Sequence, residues 1–396
     1  MTAQTTKPSA PKKADTQTRN RKLVLFFCAL LTFTASCLPA LLPAVFLAGF
    51  FAGCHKDDGP VDPCHDCPDT TSHNFTFTTY TLGDDGASST LYDVAIINDT
   101  LAYAVGEIYL KDATGQIDQT PYCLAKWNGS TWQLKRLYYK NKDFQGNEYI
   151  AALRDIRGVF AFSATDVWLT PGSVFHWNGQ DSLTEFSFSR LTLPDPNATV
   201  FKLWGENSNN LYGVGNAGTI VFYNGSSWQK IESGTTLDIR DVWGDGNEIL
   251  ALASHGFSPP AGKCLMRIIG TTVEAVSDSG LPPMLSGIWF ASGKHYYVVG
   301  DGMFEKVDVS SIDPWIGFHT GLTTYYTNAI RGTASNDIVV VGAYGEVLHF
   351  NGSTWKSFRA QTALSFGSYS GVALKSNLFM AVGGLNDKGV VIVGRR

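Results

Sequence analysis

An all-β ring of seven similar sheets is the fold class this sequence predicts, on three observations. One phrase recurs seven times between Leu91 and Gly394, most clearly from Phe201 to Trp228 and again from Ala329 to Trp355. Each copy is built of short β-type runs punctuated by Gly and Asn, in a chain with 40 Gly and few helical periodicities. The copies follow one another at about 40 to 50 residues, the period of a β-propeller in which each repeat is one four-stranded blade.

The first strand of each unit is marked by an apolar anchor, at Val94, Val159, Leu203, Val242, Ile288, Ile330 and Val372. Successive spacings are 65, 44, 39, 46, 42 and 42 residues, so the first gap alone carries a sizeable insertion. Lys111 to Pro121 and Lys140 to Glu148, polar and poor in β-branched residues, are its expected parts. A polar turn such as Gly205 to Asn210 leads to the second strand, which ends in Val-Gly in five copies, at Gly106, Gly215, Gly300, Gly342 and Gly383. A glycine there suits a tight reversal through positive φ. The third strand ends on an aromatic followed by Asn-Gly, at Asn128-Gly129, Asn178-Gly179, Asn224-Gly225 and Asn351-Gly352. Asn-Gly between β runs predicts a hairpin of the type I′ kind, with two positive φ angles. The fourth strand follows, as from Trp228 onward.

The seventh unit stops after three strands. Asn74 to Leu82 largely alternates apolar and polar residues yet precedes the first anchor. That alternation predicts a strand that pairs with Val390 to Val393 and closes the ring, leaving no long exposed sheet edge. The propeller is therefore expected over residues 74–396.

A chain of 396 residues with 44% hydrophobic content can bury the core such a ring needs. Its net charge of −5 lacks the basic footprint of a nucleic-acid binder, and that class is excluded.

Residues 1–73 are of another kind. Residues 1–22 carry Lys7, Lys12, Lys13, Arg19, Arg21 and Lys22 against one acid, Asp15. Residues 23–53 hold no charge at all. Basic before apolar predicts an amino end left in the cytoplasm and an exported ring, with residues 23–53 either a signal peptide or a retained single-span membrane anchor. Phe51-Ala-Gly-Cys54 resembles the lipobox of bacterial lipoproteins, although Phe51 stands where Leu is usual, and the resemblance implies lipidation at Cys54. His55-Lys56-Asp57-Asp58 resembles the Lys and two acids that surface-exported lipoproteins of the Bacteroidetes carry after the lipid cysteine. The implied location is the cell envelope, at the outer membrane or cell surface. Residues 54–73, rich in Pro, Asp, Gly and Thr over much of their length, are expected to form a flexible tether.

Of the seven cysteines, Cys64 and Cys67 form a Cys-x-x-Cys pair, a spacing able to grip a metal ion or cycle as a disulfide. It lies in the expected tether, without a second pair and without a helix start to lower a thiol pKa. A local disulfide or no role is the expectation, and no metal or cofactor is assigned. Cys123 and Cys264 fall in different blades and are not paired.

Catalytic signatures are missing. There is no Gly-x-Ser-x-Gly elbow, no His-Glu-x-x-His and no phosphate-cradling glycine loop. The Ser-x-Asp-x-Gly-x-x-Trp boxes of sialidase propellers, the Trp-Asp endings of the WD40 class and the paired glycines repeated through Kelch blades are missing as well. His176 and His349 share one register position and are read as structural; Trp204, Trp243 and Trp289, each just after an anchor, are read as packing between blades. Asn98-Asp99-Thr100 and the Asn-Gly-Ser/Thr triplets match glycosylation acceptors, but turn chemistry accounts for the triplets.

One constellation remains. Innermost strands line the channel, and the polar residues flanking the anchors are Asp93, Arg157, Lys202, Arg240, Asp241, Asn328 and Arg331. Four cations and two acids at one channel mouth suit an anionic or polyhydroxylated group.

The repeat phrase, with its Trp-Gly, Val-Gly and aromatic-Asn-Gly landmarks, resembles repeats of exported bacterial lipoprotein propellers, similar to BNR-type and photosystem-assembly-factor-like propellers. The resemblance covers residues 91 to 396 and implies a seven-bladed ring outside the cytoplasm; it does not imply one function. The expected role is a non-enzymatic, envelope-tethered binding or scaffold module for a protein or glycan. The alternatives are a polysaccharide-active enzyme that needs Asp93 or Asp241 and an assembly factor for an envelope complex.

Overall fold

The computed structural model describes residues 70–255, 262–291 and 295–396. The basic segment, the apolar segment, Cys54, Cys64, Cys67 and all of the tether before residue 70 lie outside the described residues. What is described forms seven four-stranded antiparallel sheets and one additional two-stranded hairpin. All seven anchors sit on the first strand of their blade, each at most 6% exposed. Six blades use four consecutive strands; blade 1, for example, runs Thr90–Asn98, Leu101–Ile108, Tyr122–Trp127 and Trp132–Lys135.

Blade 7 is composite. Gly367–Lys375, Leu378–Leu385 and Lys388–Arg395 are completed by Thr76–Leu82 from the other end of the ring. The register runs from Thr76 opposite Arg395 to Leu82 opposite Gly389, so the closure expected from the alternation is the one observed. The chain is held on the ring even earlier: the Thr71 amide donates to the Asn351 carbonyl at 3.0 Å. Behind it lies a polar clasp. His73 Nδ1 lies 2.7 Å from His349 Nδ1, and His349 Nε2 lies 3.0 Å from Asp337 Oδ1. Arg396 donates to both Asp337 oxygens at 2.8 and 2.7 Å.

The core lies between the blades. Adjacent sheets enclose separate apolar layers, such as Val105, Leu124, Val159 and Leu169 between blades 1 and 2, or Val299, Ile330, Val340 and Leu348 between blades 5 and 6. All three tryptophans after the anchors belong to this packing: Trp243 lies against the apolar layer between blades 4 and 5, Trp204 against Gly244 of the next blade and Trp289 against Gly332, where any Cβ would stand 2.4 and 2.6 Å from the indole. Trp243 is half-buried and donates to the Phe290 carbonyl of the next blade at 3.1 Å.

Two local expectations are corrected. The Val-Gly glycines are not generally positive-φ reversal points: of the five, Gly300 alone, with φ 158° and paired with Gly302 across Asp301, meets that expectation. Each instead faces the backbone carbonyl four residues before its own anchor, where a Cβ would stand 2.1 Å from the Thr90 oxygen at Gly106 and 1.7 Å from the Thr199 oxygen at Gly215. The requirement is close approach rather than a rare dihedral. The Asn-Gly turns are also not two-residue type I′ turns. Trp127 pairs with Trp132, Tyr223 with Trp228 and Phe350 with Trp355, so four residues intervene. Only the glycine takes positive φ, and the Asn side chain accepts the amides two and three residues on, as Asn224 does from Ser226 and Ser227 at 3.0 and 2.9 Å.

The insertion between the first two anchors makes two structures. Residues 109–121 extend the turn between the second and third strands of blade 1, and Tyr138–Lys142 pairs with Glu148–Ala152 as a hairpin between blades 1 and 2.

A channel and a cationic mouth

Most inner strands share one geometric device just before the anchor. In five blades the ladder slips there, leaving Tyr92, Arg240, Ser286, Asn328 and Ser370 outside the regular pairing. Such bulges re-aim a side chain. Adjacent residues of one strand therefore serve different places, and the seven polar residues expected at one mouth divide into separate groups.

Asp93, Lys202 and Arg331 line a channel cavity of about 230 Å³, together with Trp243 and the apolar faces of inner strands. Their charges are already matched. Lys202 Nζ lies 2.9 Å from Asp93 Oδ1. Arg331 grips Asp241 in a two-pronged pair, with both contacts at 2.8 Å. Each carboxylate also accepts the anchor amide of the following blade, Val159 for Asp93 at 3.2 Å and Ile288 for Asp241 at 3.0 Å. The two acids thus staple neighbouring blades. Burial opposes the charge on Arg331, but the Asp241 carboxylate outweighs it and holds the guanidinium above its ordinary pKa. Asn328 is likewise engaged, donating to the Ser368 hydroxyl and the Tyr369 carbonyl of blade 7 at 2.5 and 2.7 Å.

Arg157 and Arg240 line a second cavity of about 570 Å³ where the inner strands of blades 2 to 4 begin. Its wall includes Asp155, Arg190, Asn197, Phe201 and Asn216. Arg157 pairs with Asp155 at 3.0 Å in an exposed setting and lies 4.7 Å above the Tyr92 ring. Arg240 donates from Nε to the Ser254 carbonyl at 2.9 Å and approaches Asp238 at 3.3 Å. Arg190 reaches only the Pro196 carbonyl, at 3.4 Å, and makes no ion pair among the described residues. Asp155 adopts φ 47°, a left-handed conformation unusual for a side-chain-bearing residue, at the floor of this cavity.

Arg190, Asn197 and Asn216 were not recognisable from the repeat. Arg190 and Asn197 lie in the connection between blades 2 and 3, which follows no common phrase; a basic residue in a non-repeating connection was the available signal. The recurring histidines share one structural role, since His176 Nε2 meets Asp166 at 2.9 Å as His349 meets Asp337. At the same position Lys126 donates to the Gly179 carbonyl of the next blade at 3.4 Å. Cys123 and Cys264 are free thiols, and burial pushes the Cys123 thiol up to about 11. Among the described residues no group of three or more His, Cys, Asp or Glu is placed to hold a metal ion.

These features define a seven-bladed β-propeller with an internally neutralised channel and one cationic mouth. Solved structures of similar shape are propellers too. YCF48 bound to a D1 peptide matches at 15% identity and TM-score 0.56, covering 83% of this chain and 100% of that one. The WD40 propeller domain of Doa1 matches at 14% identity and 0.54, covering 80% and 95%. A catalytically inactive virginiamycin B lyase from Staphylococcus aureus, with quinupristin, matches at 10% and 0.55, covering 80% and 99%. Likeness at this identity establishes the fold alone. No family model and no curated protein matches the chain.

Proposed function

We propose that this ring is a non-enzymatic binding module that takes an anionic segment of a protein partner at the mouth formed by Arg157, Arg190 and Arg240. One observation carries the reading. Three guanidinium groups face a single ligand-sized cavity whose only lining carboxylate among the described residues is Asp155, whereas the buried channel charges are matched. Asp93 and Asp241, on which an enzymatic reading depends, are each occupied by a cation and an amide. A protein partner is favoured over a glycan because a propeller of the same shape has been seen with a peptide.

The module is held at the cell envelope, exported behind its basic and apolar leader and tethered by a lipid on Cys54 or by a single span. Its resemblance to exported lipoprotein propellers supports this placement. Cys54→Ser should move the full-length chain from the membrane fraction to the soluble fraction; retention in the membrane would leave the single span as the anchor.

Replacing Arg157, Arg190 and Arg240 together by Ser should lower affinity for a partner crosslinked in envelope extract at least tenfold, with Tm changed by only a few degrees. The paired Arg157 is exposed, and pairs of that kind contribute about 0–1 kcal/mol to stability. Undiminished capture by the triple variant would overturn the mouth as the site.

A further inference from the structure

A third cavity adjoins the cationic mouth and shares two of its residues, Pro171 and Arg190. It has a volume of about 530 Å³ and lies between the inserted hairpin and the outer edge of blade 2. Its walls are mixed: Tyr139, Phe175, Phe186 and Leu191 supply apolar surface beside the polar Asn141, Ser173 and Ser189. The aromatic rings are arranged against one another, Tyr139 and Phe186 stacked at 6.5 Å and Phe175 edge-on to Phe186 at 5.0 Å. Yet Phe186 remains 49% exposed and Leu191 82% exposed. A further cation, Arg154, stands on the same wall, and no carboxylate among the described residues lines this cavity.

The hairpin behind this wall belongs to no blade. Its base is fixed, with Leu137 and Leu153 buried and Tyr138 exchanging hydrogen bonds with Ser182 and Thr184 at 2.8 and 2.7 Å. The hairpin thus holds Tyr139 on a fixed frame, facing Phe186 on the edge strand of blade 2 and Leu191 in the turn that follows it. A preformed aromatic slot beside a cluster of guanidinium groups gives two unlike subsites in one continuous depression. Together the two cavities exceed the roughly 1,000 Å³ that a small molecule fills and fit a stretch of polypeptide.

Resting on the proposed function, we infer that the partner presents an extended segment with one or more acidic side chains and, a few residues away, a bulky apolar side chain, the acid seated among Arg157, Arg190 and Arg240 and the apolar group against Phe186 and Leu191. Charge complementarity selects the acid: four arginines border the joined depression against one lining carboxylate, Asp155, paired with Arg157, and Asp238 beside Arg240, leaving Arg154 and Arg190 without an ion pair among the described residues. Burial of an aromatic or leucine side chain in the slot supplies the anchor.

The test is selection of a displayed random dodecapeptide library on the full-length chain in detergent, read by sequencing. The expected enrichment is Asp or Glu together with Phe, Trp or Leu at a constant spacing. A fluorescein-labelled copy of the best peptide should then bind Phe186→Ser/Leu191→Ser at least tenfold more weakly, and reselection on that variant should keep the acids and lose the apolar position. Should Phe186→Ser impair folding, Leu191→Ser alone, at an exposed site, gives the same readout. Enrichment of acids alone, unaltered by the slot substitutions, would overturn the slot while sparing the mouth. No enrichment of acids would overturn both. Concentration-dependent self-association lost in Leu191→Asp would make the occupant a second copy of this chain and overturn the inference.

Discussion

Arg331→Met should destabilise the ring by about 3–5 kcal/mol, the usual cost of removing one partner of a buried ion pair. Asp241 is 3% exposed at its side chain, and without the guanidinium its charge faces a channel too enclosed to rehydrate it well. The two remaining donors, the Val242 and Ile288 amides at 3.0 Å, satisfy hydrogen bonds but supply no net positive charge. Scanning calorimetry should show Tm lowered by about 4–7 °C. Adding Asp241→Asn should restore much of the loss, because the neutral side chain still accepts from the Ile288 amide. A single variant within about 1 °C of the parent, against the shift expected per kcal/mol, would show that the pair is not a staple between blades.

The second large effect is set by pH and acts at the clasp. The His73 imidazole is held down at about 4, first by burial and then by the neighbouring His349, Lys356 and Arg396. A histidine whose folded pKa lies below its unfolded value contributes stability that is present above the unfolded pKa, about 6.5, and lost as pH falls toward 4. The full displacement would be worth about 3 kcal/mol, which access of water to the half-buried ring reduces to about 1–2 kcal/mol. Asp337 then adds a lower limb. Its burial favours the neutral acid, but hydrogen bonds from His349, Arg396 and Thr333 prevail and bring it to about 2. That contribution is present above the ordinary carboxylate pKa and lost as pH falls from about 4 toward 2. Tm measured from about pH 7 to 2.5 should fall in two stages. His73→Phe should flatten the stage between about pH 6.5 and 4 and leave the lower one; an unchanged upper stage would place its origin elsewhere.

Much of this architecture is legible in the residues because a propeller repeats its physics. Val94, Val159 and the other five anchors share one environment, so seven independent copies report the same burial. The closing strand is legible from its two-residue alternation, although its partner lies more than 300 residues away. The mouth is less legible. Arg240 and Asp241 are neighbours in sequence, and only the bulge between Ile239 and Asp241 sends one to the mouth and the other into the channel. A bulge is a property of two paired strands, and nothing in the composition of one strand announces it. The clasp is hidden for a related reason: His73 meets His349 across 276 positions, and neither carries a motif. The glycines mislead by chemistry, since the same residue answers both a positive φ and a close carbonyl, and sequence alone does not separate them.

The composite seventh blade also governs when the ring can come into being. Thr76–Leu82 is among the first parts of the propeller to be made, and Lys388–Arg395, its partner, is the last. At about 5–20 residues per second the early strand waits roughly 15–60 s for the late one. Throughout that interval it is an unpaired β segment carrying Phe77 and Tyr80, beside a row of blades that has yet to close. Closure of the ring therefore waits on the synthesis of Lys388–Arg395, and until then Thr76–Leu82 has no partner from the ring itself.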